Sequence, residues 1–154
     1  MDKKRDLLLQ LNIVRKPKTN LILLRAILGK EYTRIDFGFI ASNLYVRGGW
    51  IKMFPDAYLR TNSSEAKYKL THTEHIPLAP DYLHFKSNKD WRYFSLFFEP
   101  IPKRSCKIDL IEVENPEDTD FNYYGIKIDL NNSEEIHKPK KYYAFEILLC
   151  DLTL

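Results

Sequence analysis

Three groups of residues in this chain have types and spacings that could do chemistry, beginning with His72-Thr73-Glu74-His75 and with His84 downstream. A strand places His72 and Glu74 on one face and His75 on the other. Tetrahedral zinc needs at least three donors converging at about 2.0–2.3 Å, each oriented by further partners. His72, His75 and His84 are therefore weak metal candidates, and read first as surface or loop histidines. The second group is the carboxylates Asp109, Glu112, Glu114, Glu117, Asp118 and Asp120. Glycosidase chemistry needs two carboxylates about 5–9.5 Å apart in a cleft with split pKa values, whereas these crowd into or beside one polar stretch. A solvated acidic loop is the simpler reading, and the spacing is not that of an EF-hand loop. The third group is aromatic: Trp50, Lys52, Trp91, Arg92 and Tyr93 interleave rings with cations, as single-stranded nucleic-acid sites do, but packing accounts for most rings. Ser95 lies in a strand-like run instead of a strained elbow, and Gly48-Gly49 is not followed by the Lys-Ser/Thr of a phosphate cradle. No residue is nominated as catalytic, and no cofactor is expected.

The elements that would position these groups are β-rich. Arg92 to Pro102 reads as a core strand stopped by Pro100 and Pro102, with Lys107–Val113 as its companion after a basic turn. Asn20–Leu28 and Tyr32–Ile40 flank Gly29-Lys30-Glu31 as a hairpin. In the second of these runs Thr33, Ile35, Phe37 and Phe39 share one face, and Tyr32, Arg34, Asp36 and Gly38 the other. The first run is apolar on both faces and belongs in the middle of a sheet. Leu44–Arg47 and Trp50–Phe54 are short runs around Gly48-Gly49. Ala57–Arg60 and Lys67–His72 form another hairpin, and Ile76–Pro80 an ordered loop. Gly125 interrupts Phe121–Asp129 and marks a bulge or a place where a ring needs room. A polar linker then leads to a final alternating run, Tyr142–Leu149.

These eight or so short runs predict an all-β domain, a two-layer antiparallel β-sandwich of immunoglobulin-like type. Residues 1–18 read as a solvated basic leader, 19–130 as the sandwich, and 131–154 as a linker and final strand packing on the same domain. Charge supports that division: the leader holds six basic and two acidic side chains, +4, and the remainder 18 basic and 19 acidic, −1. A neutral body does not favour nucleic acid as a partner. Cys106 and Cys150 form no metal pattern and read as free, packed thiols. No apolar stretch approaches the roughly 20 residues that cross a bilayer. The cytoplasm is the expected compartment for the chain as given, and the envelope or the exterior if a leader was removed.

The pattern Trp50-Ile51-Lys52, Tyr58-Leu59-Arg60, Lys67-Tyr68-Lys69-Leu70, Ile76-Pro77-Leu78, Phe94 to Pro102, Ile108 to Glu112 and Phe121 to Ile126 resembles uncharacterised β-sandwich modules of bacterial secreted and envelope proteins. It covers roughly half the chain, and none of its residues is chemically diagnostic. The resemblance implies a module without established activity, sometimes placed beside a thioredoxin-like domain. The chain departs from these modules in lacking a clear signal peptide.

The expected function is therefore a non-catalytic binding or assembly module whose partner is another protein. Strict alternation sets Tyr93, Phe97, Phe121 and Tyr123 opposite the main core faces, a stripe too apolar to stand in water; either Tyr142–Leu149 or a partner would cover it. Tyr45, Trp50 and Trp91 are the expected aromatic anchors. The alternatives are a metal-dependent hydrolase built on His72, His75 and the acidic loop, and a carbohydrate or nucleic-acid binder using the exposed rings.

Overall fold

The computed structural model of the chain describes residues 5–15, 21–40, 50–81, 83–84, 91–114 and 120–136, and only the backbone of Trp50 and Trp91. Eleven strands are seen among the described residues: β1 Asp6–Val14, β2 Leu21–Leu28, β3 Thr33–Ile40, β4 Trp50–Ile51, β5 Tyr58–Thr61, β6 Lys67–Glu74, β7 Leu83–His84, β8 Trp91–Phe98, β9 Cys106–Ile111, β10 Tyr123–Ile128 and β11 Ser133–Ile136. A 3₁₀ turn at Leu130–Asn132 is the one helical element among the described residues. Nine strands make one antiparallel sheet in the order β10-β9-β5-β6-β8-β3-β2-β1-β11, and β4 pairs with β7 apart from it. The chain is thus all-β.

The sheet cannot be flat. Nine strands at 4.7–4.9 Å spacing would span about 38 Å. Yet its two edge strands, β10 and β11, are consecutive in the chain and joined only by Asp129 to Asn132, a tether that reaches at most about 17 Å. The sheet therefore curls until its ends come together, and its concave face encloses a single apolar core. Rings meet across the curl: Phe37 stacks on Phe94 at 5.1 Å in mid-sheet, and both reach the β10 end, Phe37 to Tyr123 at 5.9 Å and Phe94 to Phe121 at 5.6 Å. Leu7, Leu23, Ile35, Leu59, Leu96, Phe98 and Leu110 complete the interior. Each such side chain contributes about 1.5–3 kcal/mol on burial.

No ladder joins β10 to β1, so side chains close the seam. The Tyr123 hydroxyl donates to the carbonyl of Ile13 at 3.1 Å. Arg15 donates through Nε to the carbonyl of Asn122 at 3.0 Å and through Nη2 to Asp120 Oδ1 at 2.6 Å. At the other end of β1, Lys103 Nζ donates to the carbonyl of Arg5 at 2.7 Å.

Several sequence expectations change here. Residues 6–14, expected within a solvated leader, form β1, hydrogen-bonded between β2 and β11; the alternation of Leu7 and Leu9 into the core outweighs the flanking charge. The strand at Lys107–Val113 appears as β9, but it pairs with β5 and β10 and not with β8. Pro100 and Pro102 prevent a tight return. The chain instead crosses over, held where Thr33 Oγ1 accepts the Ile101 N–H at 2.9 Å and Glu99 N–H donates to the carbonyl of Lys69 at 2.9 Å. Both expected hairpins form, β2-β3 and β5-β6. The loop Ile76–Pro80 is ordered by backbone bonds with Met53, from Met53 N–H to the Pro77 carbonyl and from Ala79 N–H to the Met53 carbonyl. Leu44–Arg47 and Tyr142–Leu149 lie outside the described residues.

Gly125 marks a true bulge. The β10-β9 register shifts between Tyr123 and Ile126, and Gly125 has φ +64° with nothing within 4 Å of where a Cβ would sit. Its need for glycine is thus conformational and not steric, since L-residues are disfavoured in the left-handed region. Gly125→Ala is expected to lower stability by about 1–2 kcal/mol, read from the urea midpoint. Gly125→Asn should lose less, and equal midpoints for all three proteins would refute the assignment.

Candidate functional site

Counting outward from the turn at Gly29–Tyr32, Leu28 opposes Thr33, and so Arg25 opposes Asp36. Asp36 in turn opposes Ser95 on β8, Ser95 opposes Glu74 on β6, and on the other side Gln10 of β1 opposes Arg25. A polar row thus crosses five adjacent strands on the face opposite the core. Its centre is dry: Arg25, Asp36 and Ser95 are each 0% exposed, and Arg34 is also buried.

Asp36 organises this row. Its Oδ1 accepts Arg34 Nε at 2.8 Å and Ser95 Oγ at 2.6 Å, while Arg25 Nε lies 3.8 Å from Oδ2. Arg34 Nη2, Asp36 Oδ2 and Glu74 Oε2 are buried without a hydrogen-bond partner. The Ser95 hydroxyl that donates to the Asp36 carboxylate is fully enclosed. The arrangement locks charge in place; it does not ready a nucleophile. One residue pair along, Arg34 opposes Phe97 and Phe97 opposes His72. The guanidinium of Arg34 sits 5.5 Å from the Phe97 ring centre and the His72 ring stacks on Phe97 at 4.1 Å, with Tyr32 at 5.6 Å. Burial, reinforced by Asp6, pushes the Tyr32 phenol up to about 12.

The histidines are not brought together. His72 is exposed on β6 against Phe97, His75 follows β6 in a left-handed conformation, and His84 pairs with Trp50 on β7. Among the described residues no group of three or more His, Cys, Asp or Glu is placed to hold a metal. The acidic stretch is partly structural, in contrast to the solvated loop expected. Buried Glu112 accepts the N–H of Phe121 at 2.9 Å and that of Phe54 at 3.2 Å, and buried Asp120 pairs with Arg15. Glu117 and Asp118 lie outside the described residues.

Of the expected aromatic surface, Tyr93 and Phe97 do lie opposite the core. Phe97 is buried beneath its neighbours, and Tyr93 is half-buried. Phe121 and Tyr123 do not: both belong to the core. The bulge at Gly125 reverses the alternation, so that Tyr123 and Ile126, three apart, face the same way. It turns Tyr124 outward instead, 57% exposed, a residue that strict alternation overlooks and that the glycine could have revealed. Arg25 was equally legible once the turn register was counted. Tyr45 and the side chains of Trp50 and Trp91 lie outside the described residues, as does the cover proposed from Tyr142–Leu149. Cys106 is a free thiol, and partial burial raises its pKa; Cys150 lies outside the described residues.

No family model, curated protein or solved structure matches the chain. Among the described residues no helix is long and apolar enough to cross a membrane.

Two measurements test this account. Removing the carboxylate would take an ion-pair partner from the buried guanidiniums of Arg34 and Arg25, so Asp36→Ala is expected to lower stability by about 3–5 kcal/mol in urea unfolding. Gln10→Ala, at the exposed end of the same row, should stay within about 0.5 kcal/mol of the parent. The second concerns Glu112, whose pKa burial pushes up to about 6 from an ordinary 4.5, against the lowering effect of its two backbone donors. The folded chain then holds this proton more tightly than the unfolded one. Stability therefore rises as pH falls from about 6 to 4.5, a contribution of about 2 kcal/mol. Thermal melts across this window should show that rise diminished in Glu112→Gln relative to the parent.

Proposed function

We propose that the chain is a non-catalytic binding or assembly module of immunoglobulin-like sandwich type, engaging another protein through the outer edge of β10. The observation that carries this reading is the edge itself. Among the described residues β10 pairs only with β9. Beside the bulge it presents Tyr124, the most exposed large hydrophobic side chain among the described residues, with Lys127 exposed on the same strand. Arg15 and Tyr123 bridge the start of this edge to β1, while Tyr124, Gly125 and Lys127 stay exposed along the rest. A strand edge without a ladder offers backbone donors and acceptors to an incoming strand, and an aromatic side chain next to it supplies the kind of contact that dominates binding energy. The sandwich is supported by the way the β10 end of the curled sheet lays Phe121 and Tyr123 over Phe37, Phe39 and Phe94, as two facing layers would. The likeness to modules of bacterial secreted and envelope proteins, read from the strand and proline pattern, agrees with a role in assembly.

Tyr124→Ala is expected to weaken capture of the cognate protein by at least tenfold, about 1.4 kcal/mol, in quantitative pull-down followed by cross-linking. Its melting temperature should remain that of the parent. Undiminished capture by Tyr124→Ala, with cross-links mapping away from β10, would refute the reading.

A further inference from the structure

We infer that a cleft at one end of the curled sheet is a binding site for a small carboxylic acid with an apolar body. The cleft, about 480 Å³ in volume and broadly open to solvent, is lined by His75, Ile76, Pro77, Leu83 and Arg92. Its walls come from three separate parts of the fold. His75 to Pro77 follow β6, Leu83 lies on β7, and Arg92 stands near the start of β8 opposite Phe39.

The lining is chemically lopsided. Ile76, Pro77 and Leu83 give it an apolar side, about half of the lining surface. Its charge comes from the Arg92 guanidinium, accompanied by the His75 imidazole, and no carboxylate is among the described lining residues. Arg92 Nε is buried yet has no hydrogen-bond partner. That nitrogen is covered by protein, and a ligand in the cleft meets the remainder of the partly exposed guanidinium. A carboxylate matches the planar fork of arginine donors in two parallel bonds, and the apolar wall favours a hydrocarbon body over a sugar or a nucleotide. His75 holds φ +67°, a conformation uncommon outside glycine and associated with ligand-contacting loops. The site is distinct from the β10 edge and does not depend on that reading.

Octanoate, with octanol as its neutral counterpart, tests the assignment on the full chain by amide-resolved NMR titration. Octanoate should bind saturably at millimolar concentration or below, shifting the amides of Ile76, Leu83 and Arg92, and octanol should bind at least tenfold more weakly. Arg92→Gln should lose about tenfold or more of the octanoate affinity, the equivalent of one charge-assisted hydrogen bond, while keeping the parent's melting temperature. Absence of shifts at these amides, equal binding of acid and alcohol, or unchanged affinity in Arg92→Gln would overturn the inference. Should Arg92→Gln fail to fold, the acid-to-alcohol comparison on the unaltered chain decides the same point.

Discussion

The short tether between β10 and β11 governs the rest of this structure. Because Asp129 to Asn132 must connect opposite edges of a nine-stranded sheet, the sheet has to curl, and its two faces acquire different roles. The concave face closes on itself and is filled by leucine, isoleucine and phenylalanine. Edge-to-edge hydrogen bonding is not completed, so Tyr123, Arg15, Asp120 and Asn122 span the remaining gap. Tyr123 donates to the Ile13 carbonyl on the β1 side and Arg15 to the Asn122 carbonyl on the β10 side, groups that an open strand edge would otherwise leave exposed.

On the opposite face the middle strands carry charge that is buried from bulk solvent. Burying ions is seldom stabilising in itself, because desolvation can exceed the attraction regained. The row Arg25, Asp36, Ser95 and Glu74 does, however, discriminate between strand registers. A slip of one residue would turn the guanidiniums into the phenylalanine core, and a slip of two would part Arg25 from Asp36 and Asp36 from Ser95. The apolar side of the same strands cannot supply such discrimination, since Leu21, Leu23, Ala26 and Leu28 are nearly interchangeable in kind. Arg34 is further held by its place over Phe97, and the second face is most densely bonded where it is most polar.

That bonding separates the parts of the surface that are committed from those that are open. Asp36 and Ser95 are enclosed, and Glu112 and Asp120 serve to hold the loops around Phe54 and Phe121. What the described residues leave available lies at the periphery: the β10 edge with Tyr124, and the cleft in front of Arg92. Both proposed recognition sites thus fall at the margins, while the interior serves architecture.

Local pattern was sufficient for the strands themselves. The alternation of Thr33, Ile35, Phe37 and Phe39, the proline stop after Phe98, the two hairpins and the irregularity at Gly125 all follow from side-chain period and turn chemistry within a few residues, and even the facing of Arg25 and Asp36 follows from the turn between them. Which strands become neighbours was decided by the tertiary structure alone. The approach of Glu74 to Ser95, the crossing of β9 to β5, the recruitment of residues 6–14 into the sheet and the turning of Tyr123 inward rest on contacts between distant segments or on a bulge that resets alternation. Side-chain periodicity states which face is apolar; it does not state what that face will meet, because that depends on the closure of the whole sheet.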